Sequence, residues 1–281
     1  MCISSLVKRG ILKKKILITV KTYPHIDAFE ESVCTAGIAE SGEWVRIYPI
    51  PFRSLNDPKR YKKYQWIELE LKKSKKDSRA ESFSPVNMEK VHLGEVLGTD
   101  GGSWKRRKET VLKKVYTKIG DLTCRSERKN LSLAVFKPTK IKNFYVEQVS
   151  RDWPKEKVEE FRNQFRLFSN QKNPFESLKK LPYKFYYEFE DSVGTVSKLS
   201  IIDWELGALF WKQLESKGNE EKALDDVKKK YFDDFTKNKD LYFFLGTTKR
   251  NHFTARNPYM IIGVFYPKKE SYVGDLFERG V

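Results

Sequence analysis

Short runs of branched and aromatic residues, each closed off by turn formers, recur along this chain of 281 residues, and that rhythm limits its fold more than any other feature. Residues 16–20, 33–38 and 43–48 each have the length and composition of a strand, and Ser41-Gly42 makes a hairpin between the last two. In EWVRIY (43–48) the alternation puts Trp44, Arg46 and Tyr48 on one face and Val45 and Ile47 on the other. In YKKYQWIELEL (61–71) Trp66, Glu68 and Glu70 oppose Ile67, Leu69 and Leu71 in the same way. Further strands are expected at 131–136 and 141–149, with a basic helix at 104–118 and a charged loop at 72–85. The regular strand–helix–strand alternation of a parallel sheet is missing, so a small Greek-key barrel or a curled sheet fits the first 150 residues.

From residue 182 the pattern continues with strands at 182–190 and 198–202, helices at 203–215 and 219–235, and strands at 241–245 and 259–266. Between them, residues 152–177 read as a helix and a polar turn, bounded by Pro154 and Pro174. The division expected is a basic extension (1–15), a first domain (16–150), a helical linker (151–180) and a second domain (181–281). No repeat is visible in the sequence, so any duplication would be structural only.

Charge follows this division. Residues 1–150 carry 31 Lys and Arg against 17 Asp and Glu, and residues 151–281 carry 24 against 21. A basic surface attracts polyanions, and its contacts with phosphates release counterions. Aromatic residues stand among these cations, as single-strand binding needs, because splayed bases stack on rings while cations follow the backbone. The expected contacts in the first part are Trp44, Arg46, Tyr48, Arg53, Lys62, Lys63, Trp66, Trp104, Lys105, Arg106 and Arg107. In the second part FLGTTKRNHFTARNP (244–258) adds Lys249, Arg250 and Arg256, in a loop whose glycine and hydroxyls suit a phosphate. It lacks the spacing of a Walker loop, and a plain polar hairpin loop also accounts for it.

Other chemistry has less to stand on. The carboxylates of Asp203 and Glu205, with His252, would serve a metal-dependent nuclease or nucleotide-modifying enzyme, although Asp203 also reads as a helix N-cap. Cys2, Cys34 and Cys124 and the three histidines are scattered, which disfavours a structural zinc site and suits a reducing cytoplasm. No cofactor and no membrane span is expected, since no stretch approaches ~20 apolar residues. The near-neutral second part, with its two amphipathic helices, also allows an adaptor that docks a protein partner while the first part holds nucleic acid.

Several segments taken together, KILITVKTYP (15–24), VCTAGI, GEWVRIYPIPFRSL (42–55), KKYQWIELEL, IIDWELGALFW (201–211), DLYFFLGTT (240–248) and MIIGVFYP (260–267), resemble an uncharacterised prokaryotic family of dual OB-containing domain proteins. The resemblance runs from about Lys15 to Pro267. It implies a mixed α+β, mainly β fold, two OB-like small barrels in tandem with helical insertions, and a place among mobile-element or anti-phage defence genes. A fold of this kind licenses no function by itself.

Overall fold

The computed structural model describes residues 10–23, 35–48, 61–129, 131–156, 159 and 179–269. Its first sheet closes on itself. Strand β1 (Ile11–Lys21) pairs antiparallel with β2 (Thr35–Ala39) along its second half and with β4 (Gln65–Lys73) along its first. Strand β3 (Trp44–Ile47) pairs with β2 and, in parallel, with β5 (Ser82–Pro85), which returns to β4. The ring β1-β2-β3-β5-β4 is thus a five-stranded barrel with OB-type connectivity, and β6 (His92–Val96) adds to β4 outside it.

One strand can serve two partners because it bends. A register shift between Ile18 and Val20 marks a bulge in β1. Ile16 and Ile18 point into the barrel with Val45, Ile47, Ile67, Leu69 and Leu71, whereas Leu17 and Val20 point out of it. At the crossing of β1 and β2 the backbones come so close that a Cβ on Gly37 would overlap the Leu17 carbonyl. The alternation expected in EWVRIY and YKKYQWIELEL is present as stated.

The second sheet repeats this plan with one change. Its order is β7-β8-β12-β13-β11-β10-β9, from β7 (Val115–Tyr116), β8 (Leu133–Phe136), β9 (Lys140–Gln148), β10 (Tyr183–Glu190), β11 (Val196–Ile201), β12 (Tyr242–Thr247) and β13 (Tyr259–Phe265). Strands β8 and β9, at or next to opposite ends of that order, are separated in sequence only by Lys137, Pro138 and Thr139. Together they act as the bent first strand of the other barrel: β8 pairs with β12 and β9 with β10, while β11 and β13 run parallel. Pro138 lacks an N–H to continue a ladder, so the strand breaks where its counterpart merely bulges. The duplication is structural, and its sequence trace is a shared order of pairing.

Helices α1 (Lys105–Val111) and α2 (Ile119–Lys129) lead from the first barrel into the second. Between β11 and β12 come α3 (Trp204–Lys217), α4 (Glu220–Lys228) and, after a π-helical turn at 229–234, α5 (Phe235–Asn238). Asp203 caps α3 by accepting from the Glu205 N–H at 3.2 Å, and Gly218 ends it in the left-handed region. Leu206, Phe210, Ala223, Val227, Tyr231 and Phe235 from these helices join Phe185, Tyr187, Phe189 and Phe243 in the second core. No described helix is long and apolar enough to cross a membrane.

The structure corrects the expected division of the chain. Residues 115–148, which a boundary at the expected helix of 152–177 puts in the first domain, supply β7, β8 and β9 of the second sheet, because short strands do not announce their partners. Residues 11–15, expected as part of an extension, are the start of β1, with Lys13 and Lys15 directly opposite Glu70 and Glu68. The segment 72–85 holds β5 rather than only a loop, and the basic helix at 104–118 is the shorter α1 followed by β7. Most of the linker at 151–180 lies outside the described residues.

Between the barrels lies a third apolar cluster. Leu17, Val20, Ala36, Ile38, Tyr64, Leu97, Trp104 and Val111 meet Leu133, Val135, Tyr242, Phe244, Ile262 and Phe265. Every residue of β2 is buried, since one face lines its own barrel and the other faces the neighbouring one.

Candidate nucleic-acid interface

The two connections between fourth and fifth strands, residues 74–81 in the first barrel and 248–258 in the second, are joined by a buried polar network. Asp77 accepts from the Arg79 side chain (Nε at 2.9 Å, Nη2 at 2.6 Å) and from Ser82 Oγ at 2.8 Å. Arg79 turns its remaining Nη1 across the interface to the Thr247 carbonyl. Glu81 accepts from Ser132 through its backbone N–H at 2.9 Å and its hydroxyl at 2.8 Å, and Arg46 donates to the same hydroxyl at 2.7 Å. Thr247 Oγ1 and His252 Nδ1 lie 3.0 Å apart and fix the base of the second loop. Burial alone would raise Asp77, yet the Arg79 hydrogen bonds and charge hold its carboxyl well below the usual carboxylate range. Burial, and then the charge of Arg79, lowers His252.

This network sorts charge. The acids Asp77 and Glu81 are turned into the interface, while Lys75, Lys249, Arg250 and Arg256 stand in solvent without an ionic partner among the described residues. Phe253, 57% exposed, rises beside them with its ring 4.4 Å from that of His252. The result is a joined lip, contributed by both barrels, of unpaired cations and an exposed ring.

The remaining expected contacts divide by location. Trp44 meets Phe244 edge-on at 5.8 Å, and Arg46 is 3% exposed with its donors directed at Ser132, so the Trp44–Arg46 face is covered by the second barrel. Tyr48 is half-buried at the end of that face. Trp104 is buried against Phe265, and the Arg107 guanidinium lies 4.0 Å from the centre of the Tyr64 ring and donates to the Leu97 carbonyl. Arg106 is exposed but held bidentate by Glu95, Trp66 is half-buried under the Lys15 ammonium, and Lys62 and Lys105 are exposed. Lys63 reaches Glu205 at 2.8 Å and Asp203 at 3.7 Å across the interface. Arg53 lies outside the described residues.

The acidic helix start and His252 do not converge. Asp203 is buried, with Lys63 and Glu205 as the charges that act on it, whereas those acting on His252 are Arg79, Glu81, Arg46 and Asp77. Among the described residues no three His, Cys, Asp or Glu side chains cluster as metal ligands.

Residues 12–113 match a model described as a domain of unknown function, DUF8758, and residues 116–279 match one described as DUF8757. The chain belongs to the DUF8757 family. The DUF8757 match begins beside β7, where the second sheet begins, so the two family regions and the two sheets divide the chain at the same place. No curated protein matches the chain. A solved structure of a replication protein A heterotrimer bound to ssDNA is similar at 11% identity with a TM-score of 0.24. It covers 92% of this chain, which spans 66% of its own length, and a likeness so low carries no argument.

Proposed function

We propose that this DUF8757 protein binds single-stranded nucleic acid along the lip formed by residues 74–81 and 248–258. The observation that carries the reading is the sorting of charge: the acids of the first loop, Asp77 and Glu81, are turned into the joint, the second loop has none, and Lys75, Lys249, Arg250 and Arg256 are left to face a polyanion. Such cations follow a phosphate backbone, and the ring of Phe253 offers a splayed base a stacking surface. Seen this way, the charge asymmetry is weaker than a cut at residue 150 suggests. A cut at 114 leaves 24 cationic against 14 acidic residues before it and 31 against 24 after it, so both barrels are basic. The resemblance to dual OB-containing proteins adds the expectation that this binding serves a mobile-element or defence system.

The test is a fluorescence-anisotropy titration with a labelled oligothymidylate at a series of salt concentrations. The logarithm of the binding constant should fall linearly with that of salt, and replacing Lys249, Arg250 and Arg256 together by Ala should flatten the slope by about 0.7 for each phosphate no longer neutralised. Undetectable binding at low salt, or a slope unchanged by the triple replacement, would refute the proposal.

A further inference from the structure

The outer face of β9, β10 and β11 corresponds in connectivity to the face that the first barrel buries. In the first barrel, Ala36, Ile38 and Trp44 of β2 and β3 pack on Phe244 and Ile262. In the second, the helices pack with the core residues Phe144, Phe185 and Tyr187, and the opposite side chains are half-buried or exposed. Tyr145 and Tyr186 are directly opposite each other across β9 and β10, and Lys198 of β11 is directly opposite Glu188.

We infer that this face is a nucleobase-stacking site made by Tyr145, Tyr186 and Lys198, an inference that rests on the nucleic-acid reading above and extends it. Three observations support it. The rings are held before any ligand arrives: the Tyr145 hydroxyl donates to Glu188 at 3.2 Å and the Tyr186 hydroxyl to Glu147 at 2.9 Å. Fixing a ring in advance lowers the ordering cost of binding. The Lys198 ammonium lies 4.3 Å from the centre of one ring and 4.8 Å from that of the other, so a cation already occupies the aromatic faces. A base entering there displaces Lys198 towards the phosphates that come with it. Finally, Glu147 and Glu188 repel phosphate from the ring edges while presenting acceptors to amino and imino donors, which selects a base rather than a bare anion.

The lip and this face are continuous through the parallel pairing of β11 with β13. Ile201 is level with Ile261, so two residues back on each strand Leu199 is level with Tyr259, at the exit of the basic loop. A strand held at the lip therefore runs towards Lys198. The first barrel has no second copy of the site, since its matching face is covered.

The experiment compares two labelled probes of about 15 nucleotides, an oligothymidylate and an abasic oligonucleotide of the same length, which keeps the phosphates and lacks the bases. Tyr145→Ala with Tyr186→Ala should weaken oligothymidylate binding by about tenfold or more and leave abasic binding unchanged. Tyr145→Phe with Tyr186→Phe, which keeps the rings, should retain most of the affinity. The single change Tyr145→Ala, at the residue that is 36% exposed, leaves the core intact and should show part of the loss. Oligothymidylate affinity untouched by both alanine variants would overturn the stacking site while leaving the lip in place. If the unmodified protein binds neither probe, the nucleic-acid reading falls and this inference with it.

Discussion

Arg46 of the first barrel donates to Ser132 of the second, with Nη1 2.7 Å from Oγ, at a point where both side chains are cut off from water. Ser132 passes the interaction on to Glu81, so the guanidinium, the hydroxyl and the carboxylate form one chain across the joint. Removing a member leaves the others buried with donors or acceptors unmet, which costs more than the hydrogen bond itself. Arg46→Ala should therefore lower the unfolding free energy by about 3 kcal/mol, read as a shift of the urea midpoint.

A second tie lies on the far side of the interface. Tyr23 donates from its backbone to the Ile202 carbonyl at 2.7 Å and from its hydroxyl to the Lys179 carbonyl at 2.7 Å, and it accepts from the Trp211 indole at 2.9 Å. Its ring lies against Gly207 of α3, where an added Cβ would overlap it. Gly207→Ala should favour the isolated helix yet destabilise the protein by about 1–3 kcal/mol through overpacking, with a lowered melting temperature as the readout.

Two buried groups give opposite pH dependences. Burial raises Asp203 to about 6 although Lys63 opposes the shift; for Lys63, burial alone would lower the ammonium, but Asp203 and Glu205 together raise it. The folded protein therefore takes up a proton at Asp203 before the unfolded chain does, near 3.8, and this group adds stability as pH falls through that window. His252 is lowered from 6.5, so the unfolded chain protonates first and this group removes stability as pH falls below 6.5. Asp203→Asn keeps the cap, since Asn also accepts from the helix N–H groups, and should steepen the loss of stability from pH 6 to pH 4. His252→Gln should lessen it. Melting temperatures across that range check both signs.

Neighbouring cations on α1 should separate binding from stability. Lys105 is exposed, and Lys105→Ala should leave the unfolding free energy within about 0.5 kcal/mol. Arg107 is buried over Tyr64 and Trp104 and bonded to the Leu97 carbonyl, so Arg107→Ala should cost about 2 kcal/mol or more. Equal melting temperatures for the two variants would contradict this placement of Arg107.

The strands were legible because alternation reports which side chains share a face, and Trp44 with Arg46 opposite Val45 with Ile47 is a correct reading of β3. What covers a face is a tertiary fact that alternation leaves open, so a buried Arg46 and an open one have the same sequence pattern. The loop at 244–258 stood out by composition alone, yet its partner at 74–81 is tied to it by Arg79 and Thr247, which are far apart in the chain. Tyr145, Tyr186 and Lys198 lie on three strands and come together only through register. Only Tyr186 lies in a run that stands out locally, YKFYYEFE (183–190), and that run suits a core strand equally well.

The apolar contact between the barrels also bears on how the chain is made. The strands of the first barrel are complete once β5 has left the ribosome, but Leu17, Ile38 and Trp44 stay uncovered until Phe244, Ile262 and Phe265 have followed. Throughout that interval a finished barrel displays the greasy side on which its mate will settle, and domains that emerge first in this condition are prone to stick to one another. Severing the chain between the two family regions would make the exposure permanent in both pieces, so neither half should remain dispersed at concentrations the intact protein tolerates.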